Sequence, residues 1–537
     1  MLFRSDERAF AEAIRRLAYA NPCDTQALAI ARREATSVDF GSDEAERQLP
    51  PVKEPDLPLT DLLARRSEAL LLRLIPRLKA SSSPPLARDQ ELYEDLIVSA
   101  LYQRYFAPMV DPLTAQRGES LAAIFRSFHK DFQRWTAVPM MFPDFFIRAE
   151  HAFAVFFQHR LALVLIHQLL QGNSQPMMRL RASIWHSIFP RELRWYGSLL
   201  YERMHDVATL ILGPSGTGKE LVATAIGLAR FVPFDRRKGQ FTEPFAGAFH
   251  PINLSAMPRD LIESEMFGHV AGAFTGATKN REGWFEKCRR GHTVFLDELG
   301  EMQESVQVRL LRVLQSREFY RVGDAEPQRF EGRVIAATNR DLSELIAAGT
   351  FREDLYFRLC SDIIRTPTLR ELLADSLEEL PALVAHAVRR CLGEKATPDF
   401  IEQLGQEVLN WIEHSPEIGL TYSWPGNFRE LEQCVRSVMV RGEYHPPVRR
   451  SANVKSPSDL ALNRSSRTVE TALDTFTTEV RAGMLTFDEL LERYCSLIFS
   501  RTDNIAETAR RLKKHRATIQ ARIQDDWVAQ FRKSEET

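Results

Sequence analysis

The sequence predicts an α/β core between two mostly helical regions, and three observations carry this prediction. From about residue 190 to 370, short apolar runs bounded by glycine and polar residues alternate with helical patterns, as in a parallel sheet covered by helices. Before this segment, apolar residues recur at helical spacing. After it, helical spacing returns and is interrupted once by a stretch rich in Ser, Pro, Asn and Arg.

Length and composition limit the class of protein. A chain of 537 residues is too long for one domain, so we expect about three. With 44% hydrophobic residues, 26% charged residues and a formal net charge of -2, it has the composition of a soluble globular protein, and its overall charge indicates no particular partner. The 6 cysteines lack zinc-site spacing, which favours reduced buried thiols in the cytoplasm. The charged N-terminus lacks the apolar run of a signal peptide.

The first region is predicted to be mostly helical and, from its position, regulatory or a scaffold. Its most apolar window, His151 to Leu170, contains polar residues, which indicates a core helix rather than a membrane span. His151, His159 and His167 recur at a regular interval. On a helix each step turns by roughly 80° and rises about 12 Å, so the three rings cannot meet one metal ion.

A glycine-rich loop follows the apolar run Ala208 to Leu212 and precedes the helix-compatible run Glu220 to Ala229. The loop consists of Gly213, Pro214, Ser215, Gly216, Thr217, Gly218 and Lys219. A strand, a glycine loop and a helix in this order are the context of a P-loop, whose backbone amides surround phosphates. Lys219 would reach the terminal phosphates. Glu220 stands where a magnesium-contacting Ser or Thr is usual, so a chance glycine loop stays open on this pattern alone.

Two acids follow the next predicted strand, Thr293 to Leu296. Asp297 suits Mg²⁺, directly or through water, and Glu298 suits a general base that orients the attacking water. Paired acids at a strand end also occur in solvated turns. Their position downstream of a P-loop favours nucleotide hydrolysis, with ATP and Mg²⁺ as cofactors.

Other polar residues extend this hypothesis. Asn339 follows the predicted strand Arg333 to Ala337, where a polar side chain could sense the γ-phosphate. Arg352 and Arg358 could reach a neighbouring subunit's phosphate as arginine fingers, although their spacing also fits a salt-bridged surface helix. Arg429 lies near the start of a predicted helix and could contact nucleotide. The helices predicted in this part of the chain are Leu372 to Arg390 and Asn427 to Val440.

One short segment between the two phosphate motifs has an unusual composition. It reads Gly272, Ala273, Phe274, Thr275, Gly276 and Ala277. Glycine weakens a strand interior, so a Phe-Thr pair bounded by glycines predicts a loop tip that can change shape. A small buried turn is the alternative. The flanking phosphate motifs favour a loop that nucleotide chemistry moves.

The last helical unit carries a basic cluster. Asn504 to Ile523 is predicted to be a helix-turn-helix, with a first helix up to Leu512, a break and a second helix from Arg516 to Ile523. Its basic residues are Arg510, Arg511, Lys513, Lys514, Arg516 and Arg522, with no acid between positions 510 and 522. Such a cluster attracts nucleic-acid phosphates, although a solvated basic helix has the same charge.

Residues about 190 to 445 closely resemble the AAA+ ATPase domain of bacterial sigma-54-dependent transcriptional activators, the enhancer-binding proteins. The resemblance rests on motifs in the family's order, and the family also has Glu after the P-loop lysine. These motifs are residues 213–220, 263–269, 272–277, 295–298, 337–342, 351–356 and 424–431. The end of the chain resembles the family's Fis-type DNA-binding domain, except that Lys513 replaces the usual turn glycine and Lys514 an apolar residue.

The resemblance implies a ring homo-oligomer, usually a hexamer, with ATP between subunits and with residues 272–277 contacting sigma-54 in the closed polymerase complex. It implies that Asn253 pairs with the base glutamate and couples nucleotide state to this loop, although the sequence around Asn253 departs from the family. The connection Phe231 to Phe249 is also longer than usual. Arg352 and Arg358 match the fingers, and Arg429 matches a second sensor. The DNA-facing residues would be Arg516, Ala517, Thr518, Gln520, Ala521 and Arg522.

The predicted fold class is therefore an α/β AAA+ P-loop core with a helical lid subdomain, a preceding mostly α region and a following all-α helix-turn-helix domain. The predicted boundaries are 1–185 for the N-terminal region, 186–368 for the α/β ATPase subdomain, 369–441 for the lid, 442–485 for a linker and 486–530 for the DNA-binding domain. The predicted function is a cytoplasmic activator that binds upstream DNA and uses ATP to open the promoter complex, with no membrane partner. Two alternatives are a remodeller of another protein and a DNA-binding regulator whose ATPase is a passive switch.

Overall fold

The computed structural model describes residues 2–38, 58–81, 83–107, 109, 112, 119–138, 148–190, 193–393, 396–446, 476, 480 and 486–535. They belong to two compact units, Met1–Pro446 and Pro447–Thr537. The first unit joins the N-terminal helices to the α/β core and its lid. The boundaries at 185, 368 and 441 therefore fall inside one unit, and the predicted linker lies mostly outside the described residues.

The N-terminal region is helical, as predicted. Its helices are α1 (Ser5–Tyr19), α2 (Thr25–Ser37), α3 (Pro58–Ala80), α4 (Ala87–Tyr105), α5 (Glu119–Thr136), α6 (Ala149–Leu169), α7 (Gln175–Ile188) and α8 (Leu193–Ser198). Among the described residues, α6 alone is long and apolar enough to cross a membrane by length and composition. Its side chains pack instead against α5, α7 and the core, so it is the core helix that the sequence predicts.

The α/β core is built on a parallel sheet of 5 strands in the order β4-β5-β8-β1-β9. These strands are β1 (Thr209–Leu212), β4 (Phe249–Asn253), β5 (Thr293–Asp297), β8 (Arg333–Thr338) and β9 (Asp362–Arg365). Every residue of β8 is buried, which matches its apolar sequence. The three strands predicted from the sequence correspond to β1, β5 and β8, which are neighbours in the middle of the sheet.

Helices and two hairpins connect these strands. The helices are α9 (Lys219–Leu228), α10 (Arg259–Phe267), α11 (Trp284–Lys287), α12 (Glu304–Ser316), α13 (Leu342–Ala347) and α14 (Glu353–Leu359). The hairpins are β2 (Phe234–Asp235) with β3 (Gln240–Phe241), and β6 (Glu318–Tyr320) with β7 (Pro327–Arg329).

The lid consists of α15 (Leu369–Asp375), α16 (Glu379–Leu392), α17 (Pro398–His414) and α18 (Asn427–Arg441). The prediction of one helix from Leu372 to Arg390 was wrong, because the chain turns at Ser376, whose backbone is extended. Pro381 explains the break. A proline has no N–H to donate and its ring clashes with the carbonyl four residues earlier, so Pro381 is accommodated in the first turn of α16 and not inside a longer helix.

One hydrophobic core continues from the N-terminal helices to one face of the sheet. It runs from Phe10 in α1 through Phe157 in α6 to Val222 in α9 and Ile335 in β8, all of which are buried. Gln158 adds a polar link, since its Nε2 donates to the carbonyl of Ala229 at 2.8 Å. The α/β core is therefore covered on this face by the N-terminal helices themselves.

The long connection between α9 and β4 forms the β2–β3 hairpin. Its Phe234 and Phe241 are buried, and the ring of Phe241 lies 4.4 Å from that of Phe157 in α6, measured between centroids. Phe234 packs at 4.6 Å against Phe125 in α5. The added length of this connection thus attaches the α/β core to the N-terminal helices.

The second unit contains α19 (Phe487–Thr502), α20 (Ile505–Arg511), α21 (Arg516–Gln520) and α22 (Asp525–Glu535). The second helix of the predicted helix-turn-helix begins at Arg516 as expected but ends at Gln520, before the predicted end at Ile523. The chain then enters α22, whose Phe531 packs with Leu497 of α19. All six cysteines of the chain are free, and Cys23, Cys288, Cys434 and Cys495 are buried.

Candidate nucleotide site and exposed loop

The polar residues predicted for phosphate chemistry end neighbouring parallel strands. Leu212 of β1 is in register with Thr338 of β8, and Asn253 of β4 is in register with Asp297 of β5. Because these strands are parallel, their carboxyl ends lie at one edge of the sheet. This edge is where α/β proteins bind ligands.

The glycine loop that follows β1 has the backbone of a phosphate cradle. Gly216 and Gly218 have φ values of 78° and 86°, which glycine adopts without strain. Gly213 N donates to the carbonyl of Thr338 at 3.4 Å, so the loop is joined to the neighbouring strand. The α9 helix begins at Lys219 directly after the loop, and a helix N-terminus favours an anion.

Lys219 is buried and points back into this loop. Its Nζ donates to the carbonyls of Gly213 and Pro214 at 3.0 and 3.2 Å. Burial lowers the pKa of Lys219, and the carboxylates of Glu298 and Asp297 oppose this shift. The ammonium therefore lies within the field of both acids.

A cavity of 270 Å³ joins the loop, the two acids and the lid. The predicted residues that line it are Ser215, Gly216, Thr217, Gly218, Lys219, Glu220, Asp297, Glu298 and Arg429. Leu169 at the end of α6 and Met177 and Leu180 of α7 line another wall. The cavity thus has a polar end at the glycine loop and apolar residues from the N-terminal helices.

Asp297 and Glu298 differ in backbone geometry. Asp297 ends β5 in a regular strand, and its Oδ1 accepts from the N–H of Glu298 at 3.0 Å. Glu298 has φ 57° and ψ 47°, in the left-handed region that a non-glycine residue rarely adopts. Such backbone strain is concentrated at functional sites.

The lid contacts the glycine loop directly. Asn427 Nδ2 donates to the carbonyl of Ser215 at 3.0 Å, and Arg429 Nη1 donates to Ser215 Oγ at 3.2 Å. Phe428 N donates to the carbonyl of Gly216 at 3.1 Å. A Cβ on Gly216 would lie 2.3 Å from the carbonyl oxygen of Gly426, so this approach requires glycine.

The sequence reasoning missed Asn427 as a positioning residue. Asn427 is buried with φ 52°, and its Oδ1 accepts from Leu369 N at 3.0 Å while its Nδ2 holds the loop. The signal available in the sequence was an asparagine after a glycine at a helix start, since asparagine tolerates positive φ. Leu169, Met177 and Leu180 carried no signal, because apolar helical residues have the same pattern in any core.

Two further residues of the cavity wall, Thr217 and Glu220, differ in burial. Thr217 is buried, and its Oγ1 donates to the carbonyl of Pro214 at 2.8 Å and lies 2.7 Å from Thr366 Oγ1. Glu220 is exposed in the first turn of α9. The hydroxyl that a P-loop pattern leads one to expect after the lysine is therefore absent here.

Three predicted catalytic residues lie outside the cavity wall. Asn339 is exposed directly after β8, beside the strand that carries the glycine loop. Arg352 precedes α14 and its Nη2 pairs with Asp354 at 2.8 Å, while Arg358 is exposed on α14. Neither arginine lines the cavity of its own chain, so a role at a nucleotide requires another subunit.

Asn253 ends β4 beside Asp297 of β5. Its Oδ1 accepts hydrogen bonds from Ser255 N at 3.0 Å, Ala256 N at 3.2 Å and Ser255 Oγ at 2.7 Å. It therefore caps the 3₁₀ turn Leu254–Ala256, which leads into α10. Asn253 occupies the junction between the acid-bearing edge of the sheet and the segment that carries the exposed loop.

Residues 272–277 form the tip of a loop, as predicted, and not a buried turn. The N–H of Gly272 donates to the carbonyl of Ala277 at 2.7 Å, and Gly272 and Gly276 have φ values of 84° and 101°. Phe274 is 40% exposed, and its ring lies 5.0 Å from that of His269. The tip is therefore closed by its own hydrogen bond while its aromatic ring remains accessible.

A second loop supports this tip from below. Val322, after β6, donates to the carbonyl of Gly268 at 2.8 Å and accepts from the N–H of Val270 at 3.2 Å. A Cβ on Gly323 would lie 2.7 Å from the Cβ of Ala273, so the two loops approach closely. The base of the exposed loop is thus fixed, although no Cβ placed on Gly272 or Gly276 would meet an atom within 4 Å.

The predicted DNA-facing residues lie on or after α21 in the second unit. Those that are exposed are Arg516, Ala517, Thr518, Gln520 and Ala521. Arg522 differs, because its Nη1 pairs with Asp488 at 2.5 Å. Lys513, at the position of the usual turn glycine, has φ 53°, so the turn has left-handed geometry despite the side chain.

Comparison with known proteins found a matching family model and several similar regulators. Residues 200–365 match the model of the sigma-54 interaction domain. The chain is 45% identical over 231 residues to the DNA-binding transcriptional regulator NtrC of Azospirillum brasilense, covering 43% of this chain and 42% of that protein. It is 43% identical over 236 residues to the Nif-specific regulatory protein of Enterobacter agglomerans, covering 44% of this chain and 40% of that protein. The match thus spans less than half the length of these relatives.

The crystal structure of NtrX from Brucella abortus is also similar, at 26% identity over 70% of this chain and 73% of that chain. The TM-score of this match is 0.36.

Proposed function

We propose that this chain, whose residues 200–365 match the sigma-54 interaction domain, is a sigma-54-dependent activator that hydrolyses ATP to remodel a sigma-54 RNA polymerase complex. One observation carries the proposal. The segment between β4 and β5 holds an exposed aromatic loop, and both of these strands end at the edge of the sheet that bears the phosphate-binding residues. A nucleotide-dependent change at that edge therefore has a short covalent route to the loop.

ATP and Mg²⁺ fit the residues of the cavity. The glycine loop and Lys219 supply amides and an ammonium for the phosphates, and Asp297 supplies a carboxylate oxygen, the ligand type that Mg²⁺ prefers. A bound Mg²⁺ would neutralise charge on the phosphates during transfer. Glu298 would orient and deprotonate the attacking water, and Arg429 would contact phosphate from the lid.

The positions of two arginines support a ring assembly. Arg358 is exposed, Arg352 is half-buried, and neither lines the cavity of its own chain. An arginine that stabilises the transferred phosphate must come within hydrogen-bond reach of it. We infer that they act on the nucleotide of a neighbouring copy in a ring, with a hexamer as the expected form. Asn339 would sense the γ-phosphate beside the glycine loop.

The proposal also includes how nucleotide state changes the loop and how the protein is held at its promoter. Asn253 would exchange its cap on the Leu254–Ala256 turn for a contact with Glu298 when nucleotide is bound, and thereby shift α10 and the loop. Phe274 and Thr275 would contact sigma-54 at the loop tip. The exposed residues of α21 would hold the protein on upstream DNA, in the cytoplasm where the polymerase acts.

The test is ATP-dependent open-complex formation by sigma-54 polymerase on duplex and premelted promoters. We expect the chain with ATP to open the duplex promoter, and the non-hydrolysable analogue to fail. ATP hydrolysis without promoter opening would favour a remodeller of another protein. Promoter binding without hydrolysis would favour a passive switch.

A further inference from the structure

A second cavity, of 550 Å³, lies among the N-terminal helices, away from the glycine loop. Residues of α1, α2, α3, α4 and α6 line it. Its walls are largely apolar, with Leu63 of α3, Val98 of α4, and Phe156 and Leu163 of α6 among them. Its volume lies within the range of small-molecule sites, and such sites combine apolar walls with a few placed polar groups.

Two polar atoms at this cavity have no partner. Gln103 Oε1 and His159 Nε2 are buried, and neither makes a hydrogen bond within the described part of the chain. His159 stands among aromatic rings, 4.6 Å from Trp185 and 5.8 Å from Tyr102, and burial lowers its pKa to about 3. Native proteins satisfy most buried polar groups, so an orphaned pair at a cavity indicates a ligand with polar atoms of its own.

The charge on the cavity wall has one sign. Arg32 and Arg160 line it, and among the residues that the structure describes no Asp or Glu does. Arg160 Nε donates to the carbonyl of Met109 at 2.6 Å, but neither guanidinium forms an ion pair with a carboxylate in the described ranges. Burial lowers the pKa of Arg160 from its ordinary value. A half-buried guanidinium without a carboxylate is a strong site for a planar anion.

We propose that this cavity binds a small organic acid, an anion with an apolar body, with its charged group on Arg160 and its apolar part between α3, α4 and α6. The neutral His159 and Gln103 would give polar contacts inside the cavity. The other charge at the mouth, Arg32 of α2, would add attraction for the same anion.

The position of α6 extends the proposal to the nucleotide site, and this step rests on the proposed function. From Phe156 to Gln168 the helix lines the second cavity, and the next residues, Leu169, Leu170 and Gln171, line the first. One rigid helix thus touches both sites. A ligand that shifts α6 would change nucleotide affinity, and by linkage the nucleotide would change ligand affinity by the same factor.

The probes are a matched pair of fluorescent compounds titrated into the full chain. 1-Anilinonaphthalene-8-sulfonate is an anion with an apolar ring body, and N-phenyl-1-naphthylamine is the same body without charge. We expect one saturable site for the anion with at least about tenfold higher affinity than for the neutral compound, because the charge-assisted contact is lost. Equal affinities would overturn the assignment of an anion site.

Three variants locate the site. Arg160→Gln should lower the affinity for the anion by about tenfold and leave the affinity for the neutral probe unchanged. Arg126 is an exposed arginine of α5 outside the cavity, so Arg126→Gln should change neither affinity. Leu163→Trp should fill the cavity and abolish the binding of both probes. Thermal melts of each variant establish that it is folded. Anion binding of unchanged affinity in Arg160→Gln would overturn the proposal even if Leu163→Trp failed to fold.

Coupling is measured as the dissociation constant of the anion with and without saturating ADP, after ADP binding has been measured directly. We expect a change of at least about fivefold. An unchanged constant in the presence of bound ADP would overturn the link through α6. Failure of ADP to bind at all would instead count against the proposed ATPase and leave the second cavity to be judged by the two probes.

Discussion

Glu298 holds an unfavourable backbone conformation beside a phosphate cavity. A left-handed backbone costs a residue with a side chain roughly 1 to 2 kcal/mol, so the surrounding fold must stabilise it. The conformation directs the chain from β5 into the 3₁₀ turn Leu299–Glu301 while Glu298 remains on the cavity wall. Asp297, one residue earlier, stays in the strand, so the two carboxylates leave the backbone at different positions on the cavity wall.

We expect Glu298→Gln to retain ATP binding while turnover falls at least about a hundredfold, because an amide cannot take a proton from the attacking water. Binding is measured by titration with nucleotide and turnover by phosphate release. Glu301→Gln is the control, since Glu301 pairs with Arg340 outside the cavity. Near-normal turnover in Glu298→Gln would remove it as the base.

Gly216→Ala should damage both the loop and its contact with the lid. The new Cβ would lie 2.3 Å from the carbonyl of Gly426 at a φ of 78°. Gly349→Ala is the matched control, because Gly349 has φ 71° and open space around it. The control should lose about 1 kcal/mol of unfolding free energy, and Gly216→Ala should lose more and also bind ADP more weakly. Equal effects in urea unfolding and ADP titration would contradict the clash.

At the scale of single residues, the sequence predicts which residues form the site better than it predicts their backbone conformations and hydrogen bonds. The glycine loop, Asp297, Glu298 and Arg429 are brought together as their motifs suggest. The positive φ of Glu298 is not indicated by its residue type, since residues other than glycine rarely adopt it. The partners of Asn427, Ser215 and Leu369, are distant in sequence, so a local pattern can suggest the backbone of Asn427 but not its two hydrogen bonds.

At the scale of elements, residues 272–277 of the exposed loop do not line the nucleotide cavity. Binding of sigma-54 by the loop and hydrolysis of ATP can therefore be tested independently. Thr275→Ala should leave ATP hydrolysis within about twofold and abolish binding to sigma-54, because Thr275 is exposed at the loop tip. Thr278→Ala, also exposed but beyond the tip, is the control. The measurements are phosphate release and co-sedimentation with sigma-54. Unaffected sigma-54 binding by Thr275→Ala would refute the assignment of the loop.

The β2–β3 hairpin carries a stability prediction. Phe241→Ala should lower the free energy of unfolding by about 3 kcal/mol or more, because the ring is buried between Phe157 and Phe245. Phe400→Ala in α17 is the control, with a ring that is 50% exposed. Both are measured by urea unfolding. A loss in Phe241→Ala no larger than in Phe400→Ala would mean that the hairpin does not fasten the two regions.

Elements with strong local signals were predicted and elements defined by tertiary contacts were not. The buried strands β1, β5 and β8 were found because their residues are apolar on both faces. The hairpin was visible only as extra length, since β2 and β3 each have 2 residues. The break before α16 followed from Pro381, and overlooking that proline merged two helices into one.

At the scale of the molecule, the N-terminal helices and the α/β core share one hydrophobic interior. Deleting residues 1–148 would remove Phe106 and Phe128, the partners of Phe153 and Phe156 in α6, and so expose this face of the helix. We expect that variant to melt at a lower temperature than the full chain. Deleting Pro447–Thr537, which is a separate compact unit, should leave the melting temperature of the remainder unchanged. Calorimetry of the three proteins makes the comparison, and equal melting temperatures after the first deletion would contradict a shared interior.

This shared interior also determines where the protein can be recombined. A sensor module from another regulator, grafted at residue 190, would replace the partners of Val222 and Phe241 with side chains of a different shape. Because α5, α6 and the β2–β3 hairpin pack against one another, a graft that preserves the packing would have to exchange all three together. The first unit ends at Pro446. A different C-terminal domain can therefore be joined at that residue without changing the hydrophobic core of the first unit.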